Sequence, residues 1–335
     1  MAAQQAKLLW ADEFDQDGLP NPKNWSYDVG DHGWGNNELQ YYTKAVLKNA
    51  RVENGRLIIE PHKEESFSKG YSSARLVSKE KASWQYGYIE VRAKLPQGVG
   101  TWPAIWMLPE QNNYGGWPKS GEIDIMEHVG YDPGVIHGTV HTEAFNHTKG
   151  TQKGAQKKVA TFQEGFHTYA IDWKADQIDF FIDGEQYFTF KNTGGDYKEW
   201  PFGHPFHLIL NIAVGGNWGG QKGVDENIWP QRMEIDYVRV YQKAITTAVN
   251  GAPNETGAAL YPNPTSNKLF VQGMDRYIAY SILDMNGRIL QSGSLKGQAD
   301  IDVSKLASGV YELSLNGDDQ WVSSGSNAIF RFVKE

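Results

Sequence analysis

From residue 7 to about residue 243 no segment repeats its apolar side chains at the 3.6-residue period of a helix. Short alternating runs take its place, each broken off by Gly, Pro, Asn or Asp. In "GYIEVRAKL" Ile89, Val91, Ala93 and Leu95 share one face, and Glu90, Arg92 and Lys94 share the other. "QIDFFIDGEQYFTF" reads as two strands around Asp183-Gly184, a pair suited to a type I′ hairpin turn. "HLILNIAVGG" and "MEIDYVRVYQ" supply further strands. The pattern predicts an all-β sandwich of two antiparallel sheets.

The texture changes after Gln242. "KAITTAVNGAPNETGAA" is small, polar and punctuated by Gly and Pro, the composition of a linker, here placed at 244–258. Short strands resume from Leu260 in "KLFVQG", "AYSILDMNGRIL", "GVYELSLNG" and "AIFRFVKE", with turn signals at Asn286-Gly287 and Asn316-Gly317. The chain thus divides into residues 1–243, a linker, and a second, small β-sandwich domain at 259–335.

Composition narrows the function. With 12 Trp, 17 Tyr and 14 Phe the chain is aromatic-rich, which suits a β core and also a cleft where pyranose rings stack on flat side chains. A net charge of -8 argues against nucleic acid, which needs clustered Lys and Arg. No apolar run approaches the ~20 residues of a membrane helix. The absence of cysteine excludes disulfides, thiolate chemistry and Cys-based metal sites. "MAAQQAKLLW" has no charged segment followed by an apolar one, so the protein is either cytoplasmic or has had a signal peptide replaced by an initiator Met.

The chemistry is carried by "GEIDIMEHVG", where Glu122, Asp124 and Glu127 are spaced by two residues and then three. On a regular strand Glu122 and Asp124 share a face and Glu127 points away. One inserted residue, Ile125 or Met126, makes a β-bulge that restores Glu127 to their face. Three adjacent carboxylates repel, so their protonation is coupled and at least one pKa is raised. In retaining glycoside hydrolysis one carboxylate attacks the anomeric carbon, and a second, protonated one donates to the leaving oxygen from ~5–5.5 Å away. The alternatives are an exposed acidic strand or a calcium site. Ile123, Ile125 and Val129 speak for a buried strand, and Trp102, Trp106 and Trp117 in "TWPAIWMLP" and "GWPKSGE" give the acids a sugar-stacking neighbourhood. His141, in "HGTVHTE", could hydrogen-bond Asp124 or Glu127 from a neighbouring strand, and Trp218, between glycines in "GGNWGG", suits a platform on a loop.

"WPKSGEIDIMEHVG", preceded by "TWPAIWMLP" and followed by "LNIAVGGNWGG", resembles the laminarinase branch of glycoside hydrolase family 16 over residues 7–243. The resemblance implies a concanavalin-like β-jelly-roll with a concave cleft, and a retaining endo-β-1,3-glucanase acting on laminarin-type glucans, with some tolerance for mixed β-1,3/1,4 linkages. By position Glu122 matches the nucleophile, Asp124 the residue that tunes the pair, and Glu127 the acid/base. The bulged spacing resembles laminarinases, whereas the lichenase branch typically has Glu-x-Asp-x-Glu. Agarases and carrageenases share the bulge, but charged galactans call for basic residues that the motif-bearing segments lack. A non-catalytic glucan-binding protein on this fold would lack the glutamates. Asn36 and Asn37 in "GWGNNELQYY" and Arg75 in "SSARLVS" match positions that contact sugar hydroxyls in relatives, with turn chemistry and a surface charge as their plain alternatives. The resemblance also implies a structural calcium near Glu13, Gly55 and Asp236, and no catalytic cofactor.

The last segment, with "LYPNPTSNKLFV", "YSILDMNGRIL", "IDVSKLASGVYELSL" and "RFVKE", resembles the sorting domain that directs Bacteroidetes proteins through type IX secretion. That implies a secreted or cell-surface protein whose partners are the secretion machinery and a β-glucan, and a monomer is expected. A carbohydrate-binding module competes, but Trp321 alone is available there as a stacking platform.

Overall fold

The computed structural model describes residues 7–242 and, within 259–334, all but 262–263, 273–276, 285–287, 297–298 and 317–327. The 244–258 linker, the Asn286-Gly287 turn, Gly317, Pro262, Asn263, Trp321 and residues 1–6 lie outside the described residues. Two compact units divide the chain, Met1–Ala244 and Ile245–Glu335.

In the first unit, strands Lys153–Lys158, Val135–His141, Glu122–His128, Thr101–Pro109, Phe206–Val214, Arg75–Val77 and Ser26–Asp28 form one antiparallel sheet in that order. Strands Glu185–Lys191, Gln177–Ile182, His167–Trp173, Gly87–Lys94, Met233–Gln242, Leu57–Ile59 and Ala50–Val52 form the other, with Lys7–Asp12 along the Met233–Gln242 strand. The two-sheet sandwich read from the pattern, and the jelly-roll that the resemblance implies, are the fold. Ile89, Val91 and Ala93 are fully buried, as their alternation requires. They meet Ile105, Met107, Ile123, Leu208, Leu210 and Ile212 of the facing sheet in one core. Asp183 and Gly184 both take positive φ, 51° and 76°, the geometry that brings Gln177–Ile182 back as Glu185–Lys191. Among the described residues the one helical piece is a 3-10 turn at His147–Lys149.

A third, three-stranded sheet was not expected: Gln40–Tyr42 pairs parallel with Tyr71–Ser73, which pairs antiparallel with His62–Lys63. Gln40, Tyr42, Ser72 and Ser73 are buried there, so its burial is polar and leaves no apolar alternation to read.

The second unit has its own core of Leu269, Val271, Ile282, Ile301, Leu313 and Phe332. It is built from a three-stranded and a four-stranded sheet, a small β-sandwich.

Candidate active site

The Glu122–His128 strand carries the irregularity that its spacing demands. Against Thr101–Pro109 the register runs Met126 with Ile105 and Asp124 with Trp106, leaving Ile125 without a partner. Against Val135–His141 it runs Asp124 with Thr139 and Glu127 with His137, so Ile125 and Met126 together oppose Gly138. This is a bulge, and both inserted candidates turn into the core, Ile125 at 1% and Met126 at 0% exposure. Gly138 opposite leaves no room for a side chain unless its neighbours shift, since a Cβ there would run into the Tyr187 hydroxyl and the Phe180 ring of the facing sheet.

Each glutamate is held by an indole. Trp117 Nε1 donates to Glu122 Oε2 at 2.9 Å, and Trp102 Nε1 donates to Glu127 Oε1 at 3.0 Å. Asp124 is buried between them. Burial first, and then the neighbouring charge of Asp124, push the Glu122 carboxyl well up. Asp124 is raised well above its ordinary value by burial and by Glu127, while a hydrogen bond with Glu122 pulls it back. Burial raises Glu127 too, against the Trp102 bond, which lowers it. Three buried carboxyls this close cannot all be ionised together, so their protonation is coupled.

His141 reaches two of the three acids. Its Nε2 lies 3.3 Å from Asp124 Oδ2 and 3.7 Å from Glu122 Oε1. Of the two alternatives expected for it, Asp124 or Glu127, it approaches Asp124; its register partner is Glu122, and Glu127 pairs with His137. Glu122, Asp124 and His141 each offer a ligand atom within 4.8 Å of the others, an acidic group that could bind a cation.

Around Glu127 the wall is aromatic. Trp102 packs edge-on against Trp218, which packs edge-on against His137. Trp218 sits half-buried on a turn. Asn37 and Asn36 brace that turn, since Asn37 Nδ2 donates to Asn217 Oδ1 at 2.8 Å and Asn217 N donates to the Asn36 carbonyl at 2.7 Å. On the other side the Arg75 guanidinium lies between the Trp34 and Trp106 rings, 4.6 and 4.7 Å from their centres. Arg75 is no surface charge: it is 8% exposed and paired with Asp28 at 2.9 Å. A cavity of about 250 Å³ adjoins it, lined by Asp28, Arg75, Lys79, Leu108, Trp117 and His207.

The residues expected to hold calcium stand apart from these acids. Lys7–Asp12 ends with Asp12 opposite Val238, and Leu57 pairs with Ile235, so Glu13, Gly55 and Asp236 fall at one level of their sheet. Both carboxylates face guanidinium groups: Glu13 takes Arg239 Nε and Nη2 at 2.7 and 2.8 Å, and Asp236 pairs with Arg92.

Sequence reasoning passed over Trp34, Glu38, Tyr42, His137 and Asn211. Trp34 stands between glycines, the signal that singled out Trp218. Glu38 lies two residues from the flagged asparagines and is a carboxylate 6% exposed. For the others no signal existed beyond residue type.

Comparison with known proteins agrees with this geometry. Residues 33–239 match Glycosyl hydrolases family 16, and residues 259–325 match a secretion system C-terminal sorting domain. The chain is 56% identical over 243 residues to a β-glucanase of Rhodothermus marinus, covering 70% of this chain and 85% of that one. It resembles the solved laminarinase of Rhodothermus marinus with a TM-score of 0.70 at 55% identity, over 72% of this chain and 98% of the other. It also resembles SCLam, a non-specific endo-β-1,3(4)-glucanase, with a TM-score of 0.69 at 51% identity, over 73% and 94%.

Proposed function

The chain belongs to glycosyl hydrolases family 16, and on that premise we propose that Glu122 is the nucleophile and Glu127 the acid/base of a retaining cleavage of β-1,3-glucan. The observation that carries the roles is the bulge, which lines up both glutamates on one face, each under its own indole N–H. Glu122 attacks the anomeric carbon, the glycosidic C–O bond breaks, and the leaving oxygen takes the Glu127 proton. Glu127, now a carboxylate, takes a proton from water, and the hydroxide so formed cleaves the glycosyl ester and frees Glu122. Asp124, buried beside Glu122, tunes its charge, and His141 lies against Asp124 to hold it in place.

The protein is a secreted endo-β-1,3-glucanase of the laminarinase kind. Mixed β-1,3/1,4-glucan is its second substrate, a reading that SCLam supports. Arg75, Trp106, Trp117, Trp102 and Trp218 are the proposed sugar contacts, and Asn36 and Asn37 act by bracing the Trp218 turn. Residues 259–335 are proposed to hand the enzyme to type IX secretion across the 244–258 linker. A structural calcium at Glu13, Gly55 and Asp236 completes the proposal. Its oxygen donors and shared level in the sheet support it, although an ion would have to displace Arg239 and Arg92.

Release of reducing ends from laminarin, lichenan, agarose, carrageenan and carboxymethylcellulose tests the substrate. Laminarin should be cut fastest and lichenan next. Equal rates on carboxymethylcellulose would end the β-1,3 assignment.

A further inference from the structure

One buried acid has no part in that mechanism. Glu38 is buried and is the terminus of a polarised chain of hydrogen bonds. Trp106 Nε1 donates to Asn211 Oδ1 at 2.7 Å, and Asn211 Nδ2 donates to the Tyr42 hydroxyl at 2.9 Å. That leaves the Tyr42 proton for Glu38 Oε2, at 3.4 Å. From the other side Val214 N donates to Gln40 Oε1 at 2.7 Å, so the Gln40 amide nitrogen points to Glu38 Oε2, at 2.6 Å. Both ends of this chain begin on groups that can only donate, an indole and a backbone N–H. Their direction fixes both amides and the hydroxyl, and every bond runs toward Glu38. Asn36 Nδ2 adds a weaker donor at 3.4 Å. Of these partners only the Tyr42 hydroxyl could accept from a protonated Glu38, so the network favours the carboxylate and works against burial, which raises the group.

That anion is close to the reacting groups. Glu38 Cγ and the Trp102 ring both lie against Gly216, 3.2 and 3.4 Å from where a Cβ would stand, and Trp102 holds Glu127. Across the sheet Ala104 is the register partner of both Glu127 and Asn211, so a methyl group is all that separates Glu127 from the network on that row. We propose that Glu38 is a positioning residue, a fixed buried anion that keeps Glu127 protonated until the leaving oxygen takes the proton. This rests on the reading of Glu127 as the acid. The other charged and titratable groups facing the two carboxyls are Arg75, Tyr42, Glu122, Asp124, His137 and His141, with Lys69 on the Glu38 carbonyl. Like charge on Glu38 disfavours ionisation of Glu127, and burial of Glu38 keeps water from screening it fully.

The test is Glu38→Gln in the full chain, with kcat/KM on laminarin followed across pH. Removing the anion lets Glu127 ionise earlier, so the alkaline limb should move down by about one pH unit. Glycosylation by an aryl β-laminaribioside with a good leaving group needs no acid and should keep its profile. Tyr42→Phe, which withdraws one donor from Glu38, should move the limb the same way by less, and it reports even if Glu38→Gln fails to fold. Coincident alkaline limbs for wild type and variants, or an equal shift on the aryl substrate, would overturn the proposal. Full laminarin activity in Glu127→Ala would instead overturn the reading of Glu127.

Discussion

The two halves of the acidic strand are built alike and bedded differently. Each glutamate receives one indole N–H of similar length. Trp102, at Glu127, is 9% exposed and wedged against Trp218, whereas Trp117, at Glu122, is 43% exposed with the rings of His141 and His147 as neighbours. A hydrogen bond in a dry site is stronger and better oriented than one open to water. On the proposed roles the acid/base is set before substrate arrives, and the nucleophile's bond should tighten when a sugar covers Trp117.

The sharpest way to break this comparison is to remove each carboxylate. Glu122→Ala should lose on the order of 10⁴-fold or more in kcat on laminarin, and Glu127→Ala about 10²–10⁴-fold. With an activated aryl glycoside Glu127→Ala should still form the glycosyl-enzyme, and azide should turn it over to the β-glycosyl azide. In Glu122→Ala azide replaces the nucleophile, inverts once and gives the α-glycosyl azide. Product NMR with the opposite assignment would exchange the roles of the two halves.

Acid stability compares two buried histidines. Burial holds His128, next to Glu127, down to about 3, and holds His207, on the cavity beside Trp117, down to about 4. Both folded values lie below the unfolded 6.5, so the unfolded chain binds more protons. Their stabilising contribution is complete above about pH 6.5 and is lost as pH falls toward the folded values. Each should remove on the order of 2 kcal/mol between pH 6.5 and 4.5. Urea unfolding at the two pH values should show the loss, and His207→Gln should flatten part of it. A slope unchanged in that variant would put the proton uptake elsewhere.

Trimming the indole donors should separate the limbs of the pH–rate profile. Trp102→Phe withdraws the bond that favours ionised Glu127, so the alkaline limb should move up by roughly half a pH unit. Trp117→Phe does the same to Glu122, so the acid limb should move up, and by less because that indole is wet. Movement of both limbs in either variant would mean that the two halves are not independent. The smallest effect belongs to the far site: a chelator should lower the melting temperature by a few degrees while leaving both limbs in place. A melting curve indifferent to chelator and to added calcium would remove the ion from Glu13 and Asp236.

Much of this was legible in the chain because the informative patterns are local. Alternation placed the strands, Asp183-Gly184 placed a hairpin, and the uneven spacing of three acids announced a bulge before any register was known. Two of the tryptophans flagged beside those acids hold them. The Glu38 network was illegible for a matching reason: Tyr42 and Asn211 are 169 residues apart, and neither type in isolation suggests a partner. Arg75 could be read as surface charge because the rings that enclose it come from separate segments. The choice between Asp124 and Glu127 for His141 could not be read either, because it depends on the register that sets His141 opposite Glu122.

The bulge also determines which mutations the strand can survive. In a regular strand the loss of a single codon turns every later side chain to the opposite face. Here one residue is surplus, so deleting either Ile125 or Met126 leaves the three acids on their common face and the pairing beyond Glu127 intact. Losing Ile123 instead would throw Glu122 toward the core. The site thus has one narrow window in which a deletion is neutral to its geometry, and the product has the Glu-x-Asp-x-Glu spacing. Two spacings of one triad are a single indel apart, and no intermediate along that step has to give up the alignment of its acids.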